Sequence, residues 1–355
     1  MPPPRPSRFR ARLTAAVVTF VVLVAIAASL ALRGLTDFDL SGRYIENLTF
    51  ESAGNSLSGT LVLPDANHDG PIAIMVHGDG PQDRFSSDAY LPLINALLER
   101  GIGIYSWDKA GIGHSTGNWL DQSMTDRAVE TKAAFDMVSA KRPTQQGKIG
   151  LLGFSQAGWV IPKASPMITN NAFNVIIGGA INWQDQGAFY TRQRLLAEGL
   201  NDTEISEHIA ESLKRDEMTF ASDADYQSYI AATNDPHPMS EDRFGFVKRN
   251  INSDATADLK RLRAPTLAIF GADDLNVDAR NDAAIYRDLL EGRHPQNEVT
   301  LIADATHGLL RAGLFNYQLA HQMPLDRQIL FLTMGQYAYA SGALDHISDW
   351  INRAE

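Results

Sequence analysis

The hydrophobic pattern begins with an uninterrupted apolar run. Residues 13–32 carry no charged side chain, and twenty residues of helix span about 30 Å, the thickness of the hydrocarbon core of a bilayer. Four arginines precede the run and only Arg33 follows it, which predicts a cytoplasmic N-terminus. The run is either an uncleaved signal-anchor or a signal peptide cut after a small residue such as Ala27 or Ala31. Both alternatives place the rest of the chain outside the cytoplasm.

Beyond residue 43 the pattern changes to short strands separated by amphipathic helices. Residues 44–52 alternate in polarity and 56–63 return after a turn, so a hairpin is predicted. Further strands are predicted at 72–76, 102–107, 149–152, 174–177, 266–270 and 299–302, and helices at 91–100, 125–140 (with Thr125 as N-cap) and 341–351. Apolar strands that alternate with helices indicate an α/β fold with a mostly parallel sheet covered on both faces.

Composition and charge exclude several classes of protein. The chain has 355 residues, of which 44% are hydrophobic and 21% charged, so it can bury a full core and is not wholly disordered. It has no cysteine, which excludes disulfides, thiolate metal sites and a cysteine nucleophile. Beyond residue 33 there are 26 basic and 42 acidic residues, a net charge of -16. Nucleic acid and anionic lipid head groups are therefore not expected as partners.

The predicted strand at 149–152 ends in a turn with a serine at its apex. Residues 153–158 read GFSQAG, and a helix is predicted to follow. A strand, a tight turn and a helix are the setting of a nucleophile elbow, in which small neighbours allow the strained backbone of the serine, here Ser155. On these residues the chain resembles the α/β-hydrolase superfamily. Ala157 stands where glycine is usual, and Gly158 follows it.

A second serine matches the G-x-S-x-G pattern letter for letter. Residues 113–117 read GHSTG, with Ser115 at the centre. The strand at 102–107 ends several residues earlier, and residues 118–121 do not start a helix. We therefore interpret Ser115 as a loop serine.

The resemblance implies the order serine, acid, histidine. Residues 271–277 follow a predicted strand and match the G-x-x-D-x-x-V pattern of the superfamily, which puts the acid at Asp274, with Asp273 as the neighbouring alternative. The alternative is that Asp273 and Asp274 have no catalytic role and only cap the turn after the strand. The base is His307, because of the four histidines beyond Asp274 only this one follows a strand by a short loop.

The tetrahedral intermediate needs two preorganised N–H donors. The backbone N–H of Gln156 is expected to supply one, and by resemblance the N–H of Asp79 supplies the other. A carboxylate beside a developing anion is unfavourable, so we expect Asp79 to point away or to be neutralised, with Arg84 as a partner. Residues 77–84 and 107–115 are similar to loops of bacterial esterases and serine aminopeptidase-like (S33-like) hydrolases. The similarity covers about residues 44–307.

The strand rhythm is interrupted between residues 182 and 264. Asn201 and Glu204 have the spacing of a capping box, and Ser240 is a second candidate N-cap. In this superfamily an insertion at that point is usually a cap over the active site, and a subdomain that only stabilises the fold is the alternative. The predicted division is an N-terminal signal segment 1–33, a linker 34–43, a first core part 44–181, a helical cap 182–264 and a second core part 265–355.

A dinucleotide-binding module, a metal hydrolase and a binding protein of the same fold are the alternatives to a serine hydrolase. The glycine-rich residues 111–117 lack the helix of a dinucleotide site, and the acids and histidines lack the spacing of metal ligands, so no cofactor or metal is expected. A binding protein that has lost the chemistry is the third rival. We predict a membrane-tethered, secreted or periplasmic serine hydrolase that cleaves small carboxylic esters through an acyl-enzyme. Peptidase, thioesterase and acyltransferase activities use the same residues and stay open.

Overall fold

The sheet determines where every loop of the site lies. The computed structural model describes residues 8–233 and 235–354, and the strands in these residues form one sheet of eight in the spatial order β1-β2-β4-β3-β5-β6-β7-β8. The hairpin β1–β2 and the pair β2–β4 are antiparallel and all other pairs are parallel, which confirms the predicted α/β fold. The strands are β1 Tyr44–Ser52, β2 Asn55–Leu63, β3 Ile72–Val76, β4 Gly103–Trp107, β5 Ile149–Phe154, β6 Asn174–Ile177, β7 Thr266–Gly271 and β8 Glu298–Ile302.

Helices cover both faces of this sheet. The α-helices of the described residues, whether or not they touch the sheet, are α1 Arg8–Thr36, α2 Leu91–Glu99, α3 Met124–Lys141, α4 Ala157–Ala164, α5 Trp183–Ala197, α6 Asp202–Thr219, α7 Tyr226–Ala232, α8 Glu241–Asn250, α9 Thr256–Leu259, α10 Ala279–Leu290, α11 Ala312–Phe315, α12 Leu325–Met334 and α13 Ala343–Ala354. Successive side chains of a strand point to opposite faces. Ile74 of β3 accordingly packs in one core cluster with α3, α4 and α10, and Met75 packs in the other with α2 and α13.

Helix α3 begins one residue earlier than the sequence predicted. Its N-cap is Ser123, not Thr125. The Ser123 side chain accepts from the backbone N–H of Asp126, and the Asp126 carboxylate accepts from the backbone N–H of Ser123 at 2.8 Å. This reciprocal capping box satisfies two backbone donors at once. Thr125 cannot form it, because Thr125 lies inside the helix, after its first residue.

The N-terminal apolar helix is longer than the predicted run. Its candidate membrane span is Ala16–Thr36, which has 21 residues and contains an 18-residue window with a mean hydropathy of 2.4 and no burial against the rest of the described chain. The helix therefore continues into the segment that was expected to be a linker. Residues 1–7, which include Arg5 of the predicted cytoplasmic segment, lie outside the described residues.

Helices α5–α9 occupy the chain between β6 and β7, where the polar insertion was noted. The predicted capping box is present at the start of α6, and Ser240 caps α8. Phe244 is buried among Phe220 and two tyrosines, at centroid distances of 5.3–5.8 Å, so it belongs to the internal core of the inserted helices. Trp183 of α5 stacks on Trp159 of α4 at 5.2 Å, which fastens the insertion to the core.

Candidate active site

Ser155 lies at a strained turn between β5 and α4. Its φ is +53°, a conformation that non-glycine residues rarely adopt. A Cβ at Gly153 would lie 2.5 Å from that of Ala157, and a Cβ at Gly158 would lie 2.7 Å from the Cα of Gly179. Both positions therefore need glycine, whereas the side chain of Ala157 is accommodated. The Ser155 N–H donates to the carbonyl of Ile177 at 2.8 Å, which ties the turn to the end of β6.

The acid and the base meet at the neighbouring strand ends. His307 Nδ1 lies 2.7 Å from Asp274 Oδ2, and the other carboxylate oxygen accepts from the backbone N–H groups of Asn276 at 2.7 Å and Val277 at 3.0 Å. The carboxylate of Asp274 is fully buried, whereas Asp273 is exposed and makes its contacts through its backbone. Burial lowers the pKa of His307, but Asp274 more than offsets this, so the pKa is raised overall.

Gly178 connects this pair to the serine. It follows Ile177, the acceptor of the Ser155 N–H, and has a φ of +61°. A Cβ at Gly178 would lie 2.9 Å from Cε1 and Nδ1 of the His307 ring, so the imidazole lies directly on this glycine. His307 and Asp274 are therefore in contact, and both follow strands at the same edge of the sheet as Ser155, the edge where open α/β sheets bind ligands.

The loop after β3 lies against the serine. A Cβ at Gly78 would lie 3.5 Å from that of Ser155, and Gln156 Nε2 donates to Asp79 Oδ1 at 3.1 Å. Within the described residues neither the backbone N–H of Gln156 nor that of Asp79 has a protein acceptor. The two predicted donors thus lie beside the elbow and are not used by the described residues.

Two buried cations, which sequence reasoning missed, hold this loop. Lys109 Nζ donates to the carbonyls of Gly78 at 3.0 Å and Gly80 at 2.9 Å, and Arg127 Nη2 donates to the carbonyl of His77 at 2.7 Å. In a planar trans peptide the C=O of one residue points away from the N–H of the next. Because Lys109 binds the Gly78 carbonyl, it directs the Asp79 N–H the opposite way.

Arg127 also fixes the second donor residue. Its Nη1 donates to the side-chain oxygen of Gln156, and its side chain is buried in the face of α3 that also carries Ala128, Thr131 and Phe135. Burial lowers the pKa of Arg127, with Glu130 and Asp79 acting in the opposite direction. Arg127 could have been found from the sequence, because it lies on the apolar face of the predicted helix. A charged side chain at such a position is seldom buried without a partner.

The predicted neutralisation of Asp79 by Arg84 is wrong. Arg84 is engaged by Asp108, which accepts from Nε at 3.0 Å and from Nη2 at 2.6 Å. Arg243 of α8 takes its place, with Nη2 3.1 Å from Asp79 Oδ2 and Nη1 3.3 Å from Oδ1. Burial raises the pKa of Asp79, but Arg243 outweighs it and lowers the pKa overall, so the carboxylate stays ionised.

Ser115 is occupied by contacts within its loop. Its hydroxyl donates to the carbonyl of Asp108 at 2.7 Å and accepts from the backbone N–H of Ser58 at 3.0 Å, and the residue is 8% exposed. These bonds fasten the loop after β4 to β2. Among residues 8–233 and 235–354, no group of three His, Asp or Glu side chains could hold a metal ion.

Comparison with known sequences identifies the family. A sequence model described as serine aminopeptidase, S33, matches residues 72–312, more than half of the chain. The chain belongs to the serine aminopeptidase S33 family. Among curated relatives, the uncharacterized protein YfhR of Salmonella typhimurium is 29% identical over 116 residues, or 32% of this chain. The aligned part spans 38% of the length of YfhR, well under two thirds of that relative.

Solved structures with the same fold include an esterase and an acylaminoacyl peptidase of low sequence identity. The Pyrococcus furiosus esterase Pf2001 has a TM-score of 0.57 at 16% identity and covers 89% of this chain and 92% of its own. The acylaminoacyl peptidase of Pyrococcus horikoshii has a TM-score of 0.50 at 15% identity. The match covers 84% of this chain and 42% of the peptidase. At such identities the likeness shows the fold alone. Together with the family match it confirms the prediction of an α/β-hydrolase serine hydrolase.

Proposed function

We propose that this S33-family hydrolase cleaves small carboxylic esters through Ser155, His307 and Asp274. The 2.7 Å contact between His307 Nδ1 and Asp274, with the imidazole lying on Gly178 beside the serine turn, is the observation that carries the proposal. Asp274 holds the proton on Nδ1, so Nε2 is free to accept the serine proton.

The reaction then runs in two halves. Ser155 Oγ attacks the acyl carbon while His307 takes its proton, and the backbone N–H groups of Gln156 and Asp79 stabilise the oxyanion. Collapse breaks the bond to the alkoxy oxygen, which receives the proton from His307 and leaves as the alcohol. Water, deprotonated by His307, next attacks the acyl-enzyme and releases the acid together with free Ser155.

The charges beside the elbow favour an ester over a peptide with a free N-terminus. An aminopeptidase needs an anionic group to receive the substrate ammonium. The carboxylate of Asp79 is near the serine, but Arg243 already occupies both of its oxygens. An uncharged ester needs no such partner.

An activity-based label tests the nucleophile. The wild-type protein is treated with a fluorophosphonate probe and assayed on p-nitrophenyl esters of graded acyl length and on aminoacyl anilides. Ser155→Ala should lose both labelling and ester turnover with an unchanged melting temperature. Ser115→Ala is the matched control and should keep the label. A peptide map that places the probe on Ser115, or anilides hydrolysed faster than every ester, would contradict the proposal.

We further propose that residues 182–264 act as a cap that selects the acyl group. Phe189 of α5 is half-buried, unlike Phe244, which supports the internal core of the insertion. Phe189→Ala should therefore change the ratio of rates between short and long acyl chains. An equal loss on all esters at an unchanged melting temperature would argue against this role.

The proposed location is outside the cytoplasm, with α1 as a single membrane anchor. The support is the 21-residue apolar segment and the excess of arginine before it. Full-length protein should remain in the membrane fraction after carbonate extraction, and a C-terminal reporter should be active only outside the cytoplasm. A soluble form shorter by roughly thirty residues would instead indicate a cleaved signal peptide, released to the periplasm or medium.

A further inference from the structure

Helix α12 presents an apolar face that no part of the described chain covers. Leu325, Ile329 and Leu332 are 69%, 52% and 43% exposed. Their spacing of four and three residues places them on one side of the helix. Leucine and isoleucine side chains on one side of a helix normally face a core. Three of them exposed together indicate an interaction surface.

The rest of α12 is fastened to the chain next to α1. Phe331 makes edge-to-face contacts with Phe38 at 5.7 Å and Phe315 at 6.2 Å. Gly34, near the end of α1, is so close to α12 that a Cβ there would collide with the carbonyl of Thr333. Such close approach of two helix backbones is possible only at a very small residue.

A hydrogen bond just after the C-terminal end of α1 fixes the direction in which the chain leaves the helix. Asp37, the first residue after the helix, is buried and accepts from the backbone N–H of Gln336 at 2.7 Å. The guanidinium of Arg33 lies 5.9 Å from the ring centre of Tyr337, which is 45% exposed. Arginine and tyrosine side chains together are typical of the membrane–water boundary.

These contacts set the depth of α12 relative to a bilayer. The candidate span ends at Thr36, and Gly34 lies two residues, or about 3 Å, before that end. Thr333 is therefore level with the outer boundary of the span. If α1 spans a bilayer, this end of α12 would therefore lie beside the bilayer surface.

We propose that α12 is an interfacial helix that inserts Leu325, Ile329 and Leu332 into the outer leaflet and holds the hydrolase domain on the membrane. The proposal rests on the proposed anchoring by α1. The acidic net charge of the domain argues against attraction to anionic head groups, and Asp326 and Arg327 on α12 lie 3.6 Å apart and balance each other. The partner is accordingly a zwitterionic bilayer bound through apolar contact.

The absence of native cysteine allows a direct test. Single variants Ile329→Cys, Val22→Cys in the span and Glu211→Cys on the exposed side of α6 are labelled with an environment-sensitive fluorophore. Each full-length protein is reconstituted in phosphatidylcholine vesicles, and retained fluorophosphonate labelling shows that it is folded. Quenching is measured with iodide in the water phase and with nitroxide-labelled lipid, shallow or deep.

The label at Ile329 should be quenched by shallow lipid nitroxide and protected from iodide, that at Val22 by deep nitroxide, and that at Glu211 by iodide alone. Iodide quenching at Ile329 equal to that at Glu211, with Val22 still in lipid, would overturn the α12 proposal and leave the anchor intact. Protection of Ile329 from both quenchers would mean that protein, such as a second copy, covers the face, which also overturns it. Iodide quenching at Val22 would refute the anchor and α12 together.

Discussion

Replacing Asp274 by asparagine changes one atom at the point where the site is most constrained. Oδ1 accepts two backbone N–H groups, so the amide oxygen of asparagine must occupy that position, because an amide NH₂ there would face two donors. The NH₂ group then faces His307 Nδ1 at the place of Oδ2. Nδ1 must become an acceptor, which moves the ring proton to Nε2. An imidazole in that tautomer cannot take the proton of Ser155.

The expected loss follows from this wrong tautomer. In serine proteases the equivalent change lowers kcat by about 10⁴, which corresponds to about 5.5 kcal/mol of transition-state stabilisation. We expect a loss of this order in Asp274→Asn with little change in KM. The melting temperature should fall only slightly, since both backbone hydrogen bonds of the side chain are kept.

The same substitution should move the pH profile. Activity requires neutral His307, so it rises with pH through a pKa that lies above the ordinary value for histidine. Without the charge of Asp274, burial alone acts on the ring and lowers this pKa. The acid limb of the residual kcat/KM profile should therefore shift to lower pH.

Steady-state rates on one p-nitrophenyl ester across a pH series provide the measurement. Asp273→Asn is the matched control, because that side chain is exposed and lies one position from the site. It should retain nearly full activity and an unshifted acid limb. A loss in Asp273→Asn as large as that in Asp274→Asn, or an Asp274→Asn loss of less than about tenfold, would refute this assignment of the acid.

Three further substitutions test the surroundings of the site. Ser115→Ala removes two hydrogen bonds of a buried hydroxyl and should destabilise the fold by about 1–3 kcal/mol in urea unfolding, while labelling with fluorophosphonate persists; an unchanged unfolding midpoint would contradict the bracing role. Arg243→Ala should lower kcat several-fold because it leaves the ionised Asp79 without its cation near the oxyanion, with Arg243→Lys retaining more activity; equal kcat in both variants and wild type would contradict it. Gly178→Ala should displace the imidazole of His307 and cost more activity than stability, as seen by comparing turnover with the melting temperature; a variant as active as wild type would show that the ring can shift freely.

Local pattern was sufficient for the sheet and for the elbow. The central strand β3 was predicted at its observed bounds, since a run of five apolar residues before the glycine-containing segment 77–80 is typical of a short buried strand. The elbow at Ser155 was predicted from its strand and its small neighbours, although Ser115 matched the motif better. The pairing of Asp274 with His307 was predicted from the order serine, acid, histidine that the resemblance to the α/β-hydrolase superfamily implies.

Long-range contacts were not predictable from the pattern. Arg243 and Asp79 are 164 residues apart, and nothing in either local sequence indicates the other. Arg84, five residues from Asp79, was the nearer choice, but Asp108 binds it in a fork that matches the guanidinium. Helix α12 was missed because its apolar residues do not serve the core of the domain.

The ion pair of Arg243 and Asp79 joins the inserted helices to the oxyanion site. Arg243 belongs to the inserted helices, whereas Asp79 adjoins a donor of the oxyanion site, so any displacement of α8 would leave the Asp79 carboxylate without its cation. Both side chains are partly exposed, and such a pair contributes about 0–1 kcal/mol, or at most about a fivefold bias between two states. Added salt screens the pair and weakens this link between the inserted helices and the oxyanion site. We therefore expect turnover to depend on ionic strength, although Ser155, His307 and Asp274 keep their own contacts.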